Sequence, residues 1–264
     1  MSFNFDDFLP FTFQPSNALI GGLAITIYAA VIAQLLGVAL GILAALGGRS
    51  RNPIINTISG FYVWIFRGTP VLVQILLLYT GLPVLLGIDL FPRIYELGPI
   101  DFRGAVVAGI LALGVNEGAY MSEIVRAGIL SVDSGQAEAA KSLGMTPRLT
   151  MRRIVLPQAL RVIVPPLGNE FNNMLKTTSL MSVIGVGELL RVATDRSSST
   201  FRPFEPLLGV CVYYLALTTI WGFVQGRIER RLGVGQATGE PVPGFWARML
   251  GMGRGRQGEA GGRV

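Results

Sequence analysis

Long apolar runs broken by short basic stretches set the pattern of this chain. Runs near residues 18–46, 54–86, 104–122, 162–186 and 207–226 each supply the roughly 20 apolar positions that a helix needs to cross about 30 Å of hydrocarbon. They predict an all-α, polytopic membrane protein with about five transmembrane helices. Five spans put the termini on opposite sides of the bilayer, and the basic residues choose which. Arg49, Arg51, the stretch from Arg126 to Arg161 and seven Arg from Arg227 onward place fifteen cations on one side, against five on the other (Arg93, Arg103, Arg191, Arg196, Arg202). The positive-inside rule then puts the N-terminus outside and the C-terminus in the cytoplasm, together with the loop after the third run.

The second run is too long for one straight crossing, and Arg67, Gly68 and Pro70 interrupt it. Two arrangements fit. One is a long kinked helix from Ile54. The favoured one lays residues 54–66 along the cytoplasmic interface, with Trp64 and Arg67 at headgroup level, and starts the crossing near Pro70. An arginine at mid-bilayer costs at least about 2.5 kcal/mol, whereas an interface tolerates it.

Between the third and fourth runs the pattern turns polar. Asp133 or Ser134 can cap a short helix over Gln136 to Leu143, and Gly144 can take the left-handed conformation that ends it. Thr146 is a plausible N-cap for a second short helix with Pro147 in its first position, and Pro157 marks a later break or turn. Arg148, Arg152 and Arg153 keep this helix-turn-helix out of the hydrocarbon.

The fourth run carries polar residues where a passive anchor would carry Leu and Val. At about 100° per residue, Asn169, Glu170, Asn173, Lys176 and Thr177 fall in a stripe about 120° wide, while Phe171, Met174 and Leu175 point elsewhere. Pro165 and Pro166 are expected to distort the backbone just before it, and broken helices at membrane depth are where transporters tend to bind solutes. Such a stripe suits a solute path, with Glu170 facing a substrate ammonium, or else a buried helix interface glued by polar pairs. Lys176 suits either a substrate carboxylate or a neighbouring acid. At the end of the third run, Asn116, Tyr120 and Glu123 share one helical face that could meet the polar stripe, as second-rank candidates; pairing of Glu123 with Arg126 is the simpler explanation of that residue.

Composition narrows the chemistry. Hydrophobic residues make up 51% of the chain and charged ones 14%, with a mean hydropathy of +0.53, which fits a membrane protein. Asp6 and Asp7, without a basic flank, argue against a cleavable signal. No histidine and a single cysteine leave no Cys/His metal site, no disulfide and no His-dependent triad, so neither catalytic nor metal residues are assigned. Cys211, in an apolar run, is expected to be inert packing. The net charge of +6 follows from the loop asymmetry and needs no nucleic-acid partner.

The loop spells Glu138-Ala139-Ala140, three residues, Gly144, nine residues, then Ile154, Leu156 and Pro157. This resembles the EAA loop of binding-protein-dependent ATP-binding-cassette (ABC) importer permeases, and chance agreement is on the order of once in 10⁸ starts. Arg67-Gly68-Thr69-Pro70 with Leu72-Val73-Gln74, and Ala119-Tyr120 with Glu123 to Gly128, look like the polar amino-acid uptake branch. The resemblance covers roughly residues 17–232. It implies a permease subunit that pairs with an identical or related permease, receives solute from an extracytoplasmic binding protein, and couples through the EAA loop to cytoplasmic ATPase subunits. ATP and Mg would sit on those partners, because the chain has no phosphate-binding Gly-Lys-Ser/Thr loop. The expected divisions are an extracytoplasmic segment at 1–17, the transmembrane permease domain at 18–232 with its coupling loop at about 131–157, and a largely disordered cytoplasmic tail at 233–264. A channel or ATP-independent carrier is the competing function; it would share the polar fourth span but needs no docking hairpin.

Overall fold

The computed structural model describes residues 3–233 except Arg93, Gly98 and Pro99, with side chains of 93–102 left aside. The expected C-terminal tail therefore lies outside the described residues from position 234 on. Helices α1 (Phe5–Phe13), α2 (Asn17–Gly47), α3 (Pro53–Gly68), α4 (Val71–Leu76) and α5 (Leu82–Leu86) lead to a two-stranded antiparallel hairpin, β1 (Ile94–Leu97) and β2 (Ile100–Arg103). Then follow α6 (Gly104–Leu130), α7 (Ser134–Ser142), α8 (Pro147–Thr150), α9 (Leu156–Thr177), α10 (Leu189–Thr200) and α11 (Phe204–Arg231). Apart from the hairpin, the regular elements among the described residues are helices.

Among the described residues three helices, α2, α6 and α11, are long and apolar enough to cross a membrane. At 1.5 Å per residue, the 31 residues of α2 reach about 46 Å. The second expected span is a bent pair: α3 meets the segment Val71–Leu86 at 107°. The bend falls at Thr69 and Pro70, both extended, because proline disfavours a helical residue before it. None of α3 is buried, and Ile54, Ile58, Phe61 and Trp64 are all exposed. The fourth expected span is built differently from the sequence pattern. Helix α9 runs straight through Pro165 and Pro166 and gives way at Thr178 to a 3₁₀ segment, Thr178–Ile184, closed by Gly185 at φ 84°. Carbonyl groups near the prolines find partners on α11: Gln225 Nε2 donates to Pro165 O at 3.2 Å and Trp221 Nε1 to Gly168 O at 2.7 Å.

A seam of small residues holds the centre. Ala29, Ala33, Gly37, Gly41 and Ala45 recur every fourth residue of α2 and are all buried. That spacing lets α6 approach to backbone contact. A Cβ at Gly37 would lie 2.5 Å from Glu117 Cγ, and one at Gly114 2.6 Å from Leu36 Cδ2. The pairings rise together along both helices, so α2 and α6 run parallel. By contrast α9 runs antiparallel to α6, with Gly128 against Ile163 at one end and Gly109 against Met181 at the other. Residues 47–52, the α6–α9 connection and the end of α11 thus gather at one end of the bundle; α1, the hairpin and α10 gather at the other. Helix α1 is tied to α11 by Tyr213 OH donating to Thr12 O at 2.7 Å, and by Asn4 N donating to Glu205 Oε1 at 2.9 Å. Cys211 is exposed on α11, so it is not the packing residue its apolar run suggested.

Candidate functional site

The connection between α6 and α9 folds from local signals. Asp133 accepts from Gly135 N at 2.6 Å and starts α7. At the other end Met145 N donates to Ala140 O (3.0 Å) and Gly144 N to Lys141 O (2.9 Å), the two bonds of a Schellman cap, with Gly144 at φ 79°. Thr146 then caps α8, and Pro147 fills its first turn. Pro157 stands in the first turn of α9, just past a change of helix type. A π turn over Met151–Val155 joins α8 to α9 without leaving helical backbone angles, and its wider ring accommodates the missing proline N–H. Of the EAA-type residues, Ala140 is buried, Ile154 half-buried, and Glu138, Ala139, Gly144, Leu156 and Pro157 are exposed. Helix α7 packs on the π turn, and Leu143 beside Gly144 is 83% exposed, so the hairpin presents an apolar tip among arginines.

A second feature lies where α4, α6 and α9 meet. A cavity of about 170 Å³ is lined by Asn116, Glu117, Tyr120, Glu170, Asn173 and Thr177, with Val71, Leu113 and Met174 as its apolar wall. The structure thereby brings the second-rank face to the polar stripe, joining Asn116 and Tyr120 to three members of the stripe. The rest separate. Asn169 accepts from Gln225 Nε2 at 3.2 Å on the α11 side, and Lys176 is exposed. Lys176 forms no ion pair with Glu170 among the described residues, and Glu170 has no hydrogen-bond partner there. Glu123 is held by Arg126, with Arg67 Nη1 4.0 Å away, so its pairing with Arg126 holds.

Sequence reasoning placed Glu117 near membrane depth without making it a site candidate, and it missed the buried acid Glu188. Glu117 is 6% exposed and accepts from Gln34 Nε2 at 3.0 Å. Glu188 caps α10 through Leu190 N (2.9 Å) and Arg191 N (2.7 Å) and accepts from Tyr214 OH at 2.8 Å. The Gly-x-Gly-Glu spacing at 185–188, ahead of an apolar turn, was a cap signal available to that reading.

Comparison with known proteins follows the same lines. Residues 37–234 match the model of the binding-protein-dependent transport system inner membrane component family. The chain belongs to that family, and is a multi-pass inner-membrane transport component rather than an enzyme. It is 43% identical over 212 residues to the arginine transport system permease protein ArgU of Corynebacterium glutamicum, covering 78% of this chain and 65% of that one. Thus the chain spans just under two thirds of that relative. It is 38% identical to the probable amino-acid permease protein YxeN of Bacillus subtilis, covering 81% and 91% of the two chains. A solved structure of an amino acid ABC transporter with histidines superposes at a TM-score of 0.75, with 38% identity over 88% of this chain and all of that one.

Proposed function

We propose that the chain is the permease subunit of an ATP-binding-cassette importer for a polar amino acid, and that the cavity between α4, α6 and α9 lies on the solute path. The cavity carries this reading: Glu170 offers a substrate ammonium a carboxylate with no partner among the described residues, and Asn116, Asn173 and Thr177 offer neutral hydrogen bonds. A stripe this polar keeps α9 out of the apolar class, so α9 crosses the membrane only as a helix whose polar face meets protein or water.

Orientation is supported by the bundle's two ends. The end with residues 47–52, the α6–α9 connection and the last turn of α11 holds Arg49, Arg51, Arg148, Arg152, Arg153, Arg230 and Arg231, so it faces the cytoplasm. There the exposed hairpin tip docks a separate ATPase subunit that binds ATP and Mg. The opposite end receives the solute-binding protein, and a second permease, identical or related, covers the exposed part of the polar stripe. Transport follows from alternating access, as ATPase closure draws the two coupling hairpins together.

The test is reconstitution of the permease with its ATPase and binding protein in vesicles. Uptake of radiolabelled amino acid that needs both ATP and binding protein supports the proposal; uptake that persists without ATP favours the carrier reading.

A further inference from the structure

Two residues of the cavity wall also hold the 107° elbow between α3 and α4. Asn116 Nδ2 donates both to Phe66 O at 2.8 Å, on the last turn of α3, and to Gln74 Oε1 at 3.1 Å, on α4. Gln74 completes the joint by donating from Nε2 to Phe66 O (3.1 Å), Thr69 O (3.1 Å) and Thr69 Oγ1 (2.8 Å). Tyr120 is shared in the same way: it lines the cavity, and the Arg67 guanidinium sits 5.5 Å over its ring. Carbonyl groups released at the end of a helix need donors at membrane depth, and here one side-chain amide set supplies them. Neither Arg67 nor Gln74 lines the cavity.

We infer that the elbow is a sensor of cavity occupancy, in which Asn116 and Tyr120 are positioning residues that pass the arrival of a solute to the angle between α3 and α4. Both donors of the Asn116 amide point into the joint, which leaves its oxygen as the group free for the cavity. A solute that turns this amide toward itself withdraws donors from Phe66 and Gln74 together, and one that shifts the Tyr120 ring loosens Arg67. The joint then has fewer bonds with the cavity filled than empty, so binding shifts the elbow toward a less bent population. Broken helices serve as moving parts because their freed backbone groups have two sets of partners to choose from. This role rests on the proposal that the cavity lies on the solute path.

Hydrogen exchange resolved by segment tests it on the assembled transporter in vesicles, with binding protein loaded from a mixture of the common L-amino acids. Loaded binding protein is expected to speed exchange across residues 66–75 about tenfold while the α2 seam stays unchanged. Gln74→Leu and Arg67→Gln, both outside the cavity, should keep ATPase assembly and basal hydrolysis, lose the solute-dependent change, and lower uptake about tenfold. An elbow whose exchange ignores loaded binding protein in a wild type with normal uptake overturns the sensor. So do variants that keep both wild-type uptake and the solute-dependent change. Should a variant fail to assemble, the wild-type exchange decides alone. A wild type that takes up no amino acid overturns the transport reading itself, and the sensor with it.

Discussion

Gln34 on α2 reaches Glu117 on α6, Nε2 to Oε1 at 3.0 Å, inside a seam otherwise made of Ala and Gly. The bond ties the two parallel helices at the level of the cavity, for Glu117 is also part of the cavity wall. A carboxylate with so little water access depends on that donor. Gln34→Leu removes it while keeping bulk, and should cost about 1–3 kcal/mol. The loss is read as a shorter half-life of monodisperse protein on heating in detergent; an unchanged half-life contradicts the pairing.

Gly41 tests the seam's sterics. A Cβ there would lie 2.9 Å from both Met121 C and Ser122 N, backbone atoms that cannot rotate aside. Gly41→Val is expected to destabilise by at least about 1–3 kcal/mol, whereas Gly21→Val, where a Cβ meets nothing within 4 Å, should be close to neutral. Heating the two variants side by side in the same detergent gives the comparison.

Gly144 separates coupling from folding. Its φ of 79° is strained for a residue with a Cβ by about 1–2 kcal/mol, yet a Cβ there would touch nothing. Gly144→Val should therefore insert and remain in the membrane but bind the ATPase more weakly, as read by co-purification. Normal assembly and normal uptake by this variant would rule out Gly144 as the coupling hinge.

What the sequence made legible was local or periodic. The caps at Asp133, Gly144, Thr146 and Pro147 and the break at Pro70 depend on a few neighbouring residues, and the polar stripe of α9 depends on one helix's period. The pairing of Gln34 with Glu117 spans 83 residues, and nothing in either helix's own pattern announces it. The prolines were legible only in part: Pro157 sits at the change from π turn to α9, whereas α9 stays helical through Pro165 and Pro166. A proline removes the bond to the carbonyl four residues back, so the groups freed by Pro165 and Pro166, Arg161 O and Val162 O, follow from the sequence, whereas what meets them depends on packing. The cavity likewise exists only once α4, α6 and α9 are packed: spacing put Asn116 and Tyr120 on a face able to meet the stripe, but not which stripe residues they would join.

Glu170 carries the central claim. Its carboxylate lines the cavity with no partner among the described residues, so Glu170→Gln removes a charge without breaking a bond described in the fold. The decisive measurement is ATP-dependent amino-acid uptake by vesicles holding the complete transporter with wild-type or Glu170→Gln permease. Uptake reduced at least about tenfold, with ATPase assembly and basal ATP hydrolysis intact, is the expected result, since a hydrogen bond to a charged group is worth about 1.5–3 kcal/mol. Unimpaired uptake by Glu170→Gln would contradict a solute path through this cavity.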